Sequence, residues 1–247
     1  MALSQTANDM ELDRQAKAPV FNAPAIVLVV IAVLTLIHAT LQYAGEDWRV
    51  WSDYALAFYA ARYGSETEPM IPGSQVWTLF TYALLHADWT HLLFNCLWLL
   101  IFGTVVARYL GAPRFLLLAA LSAVAGAILT LLLHWGEPYL MIGASGAVSG
   151  LMGAAVPIMY GSGRLAVGWP TSSRQLAQPL GLAQLLRNRN ALIFTAVWLA
   201  ITAFSGATGF TGNSFMAEGG IAWEAHIGGF IGGIIGFYFL RDREVRS

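Results

Sequence analysis

The chain has 247 residues, of which 57% are hydrophobic and 11% charged, with a formal net charge of −1 and a mean hydropathy of +0.61. Because soluble domains carry about 25% charged residues, this composition excludes a soluble protein and indicates a multi-pass membrane protein. The nearly neutral charge argues against a nucleic-acid partner, since phosphate binding needs a basic surface. A single cysteine, Cys96, excludes an intrachain disulfide and a cysteine metal cluster.

Apolar runs long enough to cross about 30 Å of hydrocarbon predict six membrane-spanning helices. These spans 1 to 6 cover approximately residues 24–43, 89–107, 114–134, 143–160, 191–205 and 224–240. We expect an all-α bundle in one membrane domain, with no separate soluble domain and no cleaved signal or transit peptide. Its predicted parts are an N-terminal tail at 1–23, the membrane domain at 24–241 and a C-terminal tail at 242–247.

The connecting segments differ in character. The segment 44–88 contains tryptophans, tyrosines and prolines, which predicts a structured and partly interfacial piece. The segment 161–190 is rich in glycine, serine and proline and is predicted to be a loop. It is long enough to contain a short segment that lies at the membrane interface.

Lysine and arginine are distributed unequally between the two sides of this arrangement. The positive-inside rule therefore places both termini in the cytoplasm, and an even number of spans agrees with that placement. The cytoplasmic side would hold Arg14, Lys17, Arg108, Arg114, Arg164, Arg174, Arg187, Arg189, Arg241, Arg243 and Arg246, and the other side Arg49 and Arg62.

With this topology, spans 2, 4 and 6 all begin on the outer side, and each has polar residues near its start. Ser145 is expected about one turn into span 4, and His226 lies at the start of span 6. His86, His91 and Asn95 lie at or just before the start of span 2. Polar groups inside a membrane are costly and are candidates for function. The pattern predicts one site in the outer leaflet.

Small residues recur at every fourth position of spans 4 and 6, which permits close contact between helices. If these faces meet, Ser145 and His226 come within hydrogen-bonding reach, and a histidine can take the proton of a serine nucleophile. Gly143 and Gly146 would let a substrate carbonyl approach the serine. The small residues are also compatible with a spacer role alone. They are Ser145, Gly146, Ser149, Gly150, Gly153 and Ala154 in span 4, and Gly228, Gly229, Gly232, Gly233 and Gly236 in span 6.

His91 and Asn95 are four residues apart and therefore share one face of span 2. Both side chains can donate a hydrogen bond to a developing oxyanion, although an asparagine in a span often serves packing and a histidine near a helix end often lies at the interface. His86 is expected on a different face, either anchoring the loop or taking part in the site. Glu224 lies two residues before His226 and is expected to point away from it.

Three segments resemble the signature sequences of rhomboid intramembrane serine proteases. They are WTLFTYALLHADWTHLLFN (77–95), GASG (143–146) and AHIGGFIGG (225–233). The resemblance implies a six-helix rhomboid-like bundle with a short central span 4, and a flexible cap formed by 206–223. It implies no cofactor and no metal. The implied partners are the lipid bilayer and transmembrane substrates, and the expected location is a bacterial inner membrane.

The resemblance also implies roles for individual residues. Ser145 would be the nucleophile and His226 the general base of a dyad, with His91, Asn95 and the backbone N–H of Ser145 stabilising the oxyanion. Gly143, Gly146 and His86 would support them. The implied reaction is hydrolysis of peptide bonds in or beside transmembrane segments of other proteins.

The chain departs from this family pattern at three places. Ser149 replaces an aromatic residue, Ala107 replaces a glutamate, and Trp77-Thr78 replaces a Trp-Arg pair. We expect Ser149 to be a spacer, with spans 4 and 6 closed into the space that an aromatic ring would fill.

Other functions fit the sequence less well. A zinc protease motif His-Glu-x-x-His is absent, and all aspartates lie in predicted tails or loops rather than in spans. A transporter with His91, Asn95 and His226 in a polar pathway would need more polar groups in the inner leaflet. A non-catalytic scaffold that binds transmembrane helices stays open as the alternative.

Overall fold

A computed structural model describes residues 23–64, 71–161, 178–208 and 222–241. The protein is mostly helical. The helices are α1 (Ala25–Tyr43), α2 (Glu46–Leu56), α3 (Ser74–Thr81), α4 (Trp89–Trp98), α5 (Thr104–Leu110), α6 (Ala112–Leu133), α7 (Ser145–Gly161), α8 (Leu182–Leu185), α9 (Arg189–Thr208) and α10 (Trp223–Leu240). A π-helical turn, Leu99–Gly103, joins α4 to α5, and two 3₁₀ turns cover Ala60–Tyr63 and Tyr82–Leu84.

Among the described residues, three helical segments are both long and apolar enough to cross a membrane. They are Ala25–Tyr43, Trp89–Leu110 and Ala112–Leu133, with mean hydropathies of 2.4, 1.8 and 2.6. The protein is therefore a helical membrane protein. Each of the six predicted spans contains a helix, but that all six cross the bilayer, and with which orientation, stays a prediction.

Besides its helices, the described part of the protein contains one short pair of strands. Strands β1 (Phe58–Tyr59) and β2 (Leu140–Met141) form a short antiparallel pair in which Phe58 faces Met141. Backbone N–H and C=O groups that are shielded from water need hydrogen-bond partners. Here the segment that contains β1 and the segment that contains β2 supply these partners to each other. The pair ties the segment after α2 to the segment that leads into α7.

The segment between α1 and α4 is structured, as the sequence predicted. The indole of Trp77 donates to the carbonyl of Ala55 at 2.7 Å. The buried guanidinium of Arg62 donates to the carbonyl of Ala57 at 2.9 Å and also to that of Tyr54. Arg62 thus satisfies carbonyl groups at the end of α2 that the helix itself leaves unpaired. The sequence did not single out this role for Arg62.

Helix α7 lies at the centre of the fold and is buried from Val148 to Ile158. Its contact with α10 depends on glycine at both faces. A Cβ atom on Gly229 would overlap the backbone of Gly146, and one on Gly233 would overlap that of Gly150. The predicted close contact between these two helices is confirmed.

The second glycine row of α10 has a different neighbour from the one expected. A Cβ atom on Gly228 would lie 2.7 Å from the carbonyl oxygen of Ala125, and one on Gly236 would lie 2.7 Å from Cδ1 of Leu118, both in α6. Successive helix positions are about 100° apart around the axis, so adjacent rows face different helices. The two glycine rows therefore pack α10 against α6 and α7 at once.

Candidate active site

Ser145 is the first residue of α7, not a residue one turn inside it as the sequence suggested. The helix starts later because Gly143 has φ +119°, a conformation that favours glycine, and its N–H donates to the carbonyl of Tyr82 at 3.0 Å. Ser145 is partly exposed. The first N–H groups of a helix have no acceptor within the helix. The N–H of Ser145 is therefore free of an intrahelical bond and can donate a hydrogen bond to an oxyanion.

His226 lies in the first turn of α10, and the packing of glycines puts this turn beside the start of α7. Gly146 follows Ser145 directly, and Gly229 lies one turn after His226. The backbones of these two glycines are in contact. A Cβ atom on Gly146 would lie 3.4 Å from the carbonyl oxygen of Ala225, the neighbour of His226. The serine and histidine that the sequence singled out thus belong to adjoining helical turns.

The ring of His91 lies against Gly143. A Cβ atom on Gly143 would lie 2.6 Å from Cε1 and 2.7 Å from Nε2 of this ring. Nδ1 of His91 accepts from the N–H of Ala87 at 3.5 Å, so a neutral ring carries its proton on Nε2, the nitrogen that faces the segment before Ser145. The carboxylate of Asp88 caps α4 by accepting from the His91 N–H at 2.8 Å.

Asn95 is buried and lies one turn after His91 on the same helix. Its Nδ2 donates to the carbonyl of His91 at 2.9 Å. An amide nitrogen has two hydrogens, so this bond orients the side chain and leaves a second hydrogen for another acceptor.

His86 lies closer to His91 than the sequence predicted. Their ring centroids are 5.1 Å apart, and Nε2 of His86 accepts from the N–H of Ala144 at 3.5 Å. The expectation of a different helix face is wrong because α4 begins only at Trp89, so His86 belongs to the preceding loop. The cap residue Asp88 was the signal in the sequence for this boundary.

His86 borders a polar cavity of about 30 Å³. This volume is large enough for a water molecule. Its lining includes His38 of α1 together with Arg49 and Asp53 of α2. Burial raises the pKa of Asp53, although Arg49 acts in the opposite direction. His38 carried no signal in the sequence. It is buried and packs edge-on against Trp89, with the ring centroids 4.7 Å apart.

Two further residues from the sequence analysis are buried. Ser149 lies one turn after Ser145, with 6% of its surface exposed. Glu224 is directed to α6, where its Oε1 lies 2.9 Å from Nε2 of His134. Most of the predicted cap at 206–223, together with residues 1–22 and 242–247, lies outside the described residues.

Comparison with known proteins decides the family. The model of the Rhomboid domain matches residues 73–243, which is more than half of the chain. The chain belongs to the rhomboid family. This rhomboid is 44% identical to YdcA of Bacillus subtilis over 85 residues, which are 34% of the chain and 41% of YdcA.

Two relatives that are named rhomboid proteases match longer stretches. GluP of Bacillus subtilis is 32% identical over 146 residues, or 58% of the chain and 27% of GluP. GlpG of Yersinia pestis is 24% identical over 211 residues, or 85% of the chain and 59% of GlpG. The match thus spans well under two thirds of YdcA and GluP.

Proposed function

We propose that this rhomboid is an intramembrane serine endopeptidase that cuts peptide bonds in or beside transmembrane segments of other membrane proteins. The observation that carries the proposal is the contact between Gly146 and Gly229, because it puts the turn of Ser145 beside the turn of His226. The ring of His91 lies at the same point, against Gly143. Relatives named rhomboid proteases support the same reaction class.

In the proposed mechanism, His226 takes the proton of Ser145 as Oγ attacks the carbonyl carbon of the scissile bond. The carbonyl oxygen becomes negative and accepts hydrogen bonds from the Ser145 N–H, His91 Nε2–H and Asn95 Nδ2–H. His226 then gives the proton to the leaving amine, and the C–N bond breaks. A water molecule loses a proton to His226 and hydrolyses the acyl-enzyme, which regenerates Ser145.

The supporting residues have separate tasks in this mechanism. Gly143 leaves room for the His91 ring, and Gly146 leaves room for the hydroxyl of Tyr82, which lies 2.6 Å from its Cβ position. His86 orients the segment before the serine by accepting from the Ala144 N–H. We further propose six spans with both termini in the cytoplasm of a bacterial cell, so that the site opens toward the outer leaflet. The mechanism needs no cofactor.

The proposal is tested by comparing cells that produce the parent chain with cells that produce Ser145→Ala. Mass spectrometry of membrane-protein termini should find new termini in or beside transmembrane segments in the parent cells. The Ser145→Ala cells should lack them. Equal sets of termini in both cells would contradict an endopeptidase and favour a scaffold that binds helices without cutting them.

A further inference from the structure

His134, at the end of α6, lies between two carboxylates. Its Nδ1 is 2.7 Å from Oε2 of Glu137, and its Nε2 is 2.9 Å from Oε1 of Glu224. The ring of Tyr139 stacks on that of His134 with centroids 4.1 Å apart, and the Tyr139 hydroxyl donates to the other oxygen of Glu224 at 3.4 Å. We call these four residues the His134 cluster.

The geometry indicates that His134 is an imidazolium. An ionised carboxylate can only accept hydrogen bonds, so a ring with a carboxylate at each nitrogen needs a proton on both. Partial burial lowers the pKa of His134, but the hydrogen bonds to Glu224 and Glu137 outweigh it and hold the pKa above the ordinary value of histidine. The positive end of the α10 dipole favours Glu224, and the negative end of the α6 dipole favours a charged His134.

The cluster connects the two chain segments that lead to the proposed dyad. Glu224 precedes His226 by two residues in the first turn of α10. Tyr139 precedes Ser145 by six residues, and its carbonyl accepts from the N–H of Ala60 at 2.9 Å. Residues two apart on a helix point in nearly opposite directions, so Glu224 faces α6 while His226 faces the other way. Fixing Glu224 therefore fixes the rotation of the helical turn that carries His226.

We propose that the ion pair between Glu224 and His134 is a pH-dependent positioning device that aims His226 at Ser145. This inference rests on the proposed function. Among the described residues, the titratable groups that face His134 are Glu224, Glu137 and Tyr139. The ion pair is complete while His134 is protonated and is lost as the pH rises through its raised pKa, because the neutral ring has no charge. The neutral ring also has one N–H only, so Glu137 and Glu224 then compete for a single hydrogen bond.

The test measures the rate at which a fluorophosphonate labels the full chain in detergent, across the pH range in which histidine titrates. Glu224→Gln should slow labelling about 10- to 100-fold, since misplacing a catalytic group by about 1 Å can cost about 10²-fold. The matched control is Glu137→Gln, which removes the exposed carboxylate from the same ring. It should label at nearly the parent's rate at pH values where His134 is protonated, because exposed ion pairs contribute little.

His134→Gln supplies a second, independent readout, because glutamine can bond to Glu224 but cannot titrate. The labelling rate of the parent should fall on the alkaline side, and this decline should be absent from His134→Gln. A merely structural role would lower Tm and leave the shape of the pH profile unchanged.

Two results overturn the inference: a parent-like labelling rate in Glu224→Gln, or the same alkaline decline in His134→Gln. If Glu224→Gln does not fold, the pH profile of His134→Gln decides. A parent chain that is not labelled at Ser145 refutes the proposed function instead, so the two failures are distinguishable.

Discussion

The backbone of Gly229 lies directly against that of Gly146, with no room for a Cβ atom on Gly229. This contact joins the first turn of α10, which carries His226, to the first turn of α7, which begins with Ser145. The same α10 helix packs through its other glycine row on α6. The position of His226 thus depends on two helix contacts that tolerate no added atom at their centres.

Gly229→Ala should separate α7 from α10. Overpacking of this kind costs about 1–3 kcal/mol, and the shift should also slow fluorophosphonate labelling by moving His226. Gly236→Ala is the matched control on the same helix, because its Cβ would meet the end of the flexible Leu118 side chain, 2.7 Å away. It should lower Tm less and leave the labelling rate near the parent's. Parent-like Tm and labelling in Gly229→Ala would refute the role of this contact.

Gly143→Ala should disable the site by displacing the His91 ring, which lies 2.6 Å from the position of the new Cβ. Gly45→Ala is the control, because Gly45 also has a positive φ, +97°, and no described atom lies within 4 Å of its Cβ position. Backbone strain of about 1–3 kcal/mol should lower Tm in both variants. Only Gly143→Ala should lose labelling, and a labelling rate equal to that of Gly45→Ala would contradict the placement of His91.

Asn95→Ala should lower the turnover of a cleaved substrate by about 10²–10³-fold, as expected for the loss of one oxyanion donor. KM should change little, because the hydrogen bond forms chiefly in the transition state. Cys96→Ala, at the neighbouring and less buried position, serves as the control and should keep the parent's turnover. A raised KM with normal turnover in Asn95→Ala would instead indicate a role in substrate binding.

Ser149→Phe tests whether α7 and α10 have closed the space that an aromatic ring at this position would fill. Ser149 is buried, and the next residue, Gly150, already contacts Gly233. The ring should overpack this interface at a cost of about 1–3 kcal/mol and push His226 away from Ser145. Ser149→Ala should be nearly silent. Activity and Tm of Ser149→Phe both at or above the parent's would show that the space is still open.

The sequence predicted the helices of this protein well, because long apolar runs and charged flanks are strong local signals. It also predicted close packing of α7 on α10, since glycines at every fourth position have few other uses in a membrane helix. It could not assign each glycine row to its neighbour. Rows that begin at Gly228 and Gly229 differ by one position in the sequence but face α6 and α7 respectively.

Contacts between distant residues were beyond the reach of sequence reasoning. The pair of His134 and Glu224 joins residues 90 positions apart, and no local pattern marks either one as a partner of the other. Arg62 likewise caps α2 only because the chain turns back after Leu56. The place of His86 depended on where α4 begins, and helix boundaries are less certain than helix positions.

The central claim is that Ser145 is a nucleophile activated by His226, and fluorophosphonate labelling of the detergent-solubilised chain tests it most directly. Mass spectrometry should find the label on Ser145 in the parent. Labelling should be lost in Ser145→Ala and in His226→Ala, and the double variant should be no worse than either, because parts of one catalytic unit are not additive. Both single variants should keep the parent's Tm. Labelling that persists in Ser145→Ala, or that maps to another residue, would contradict the account.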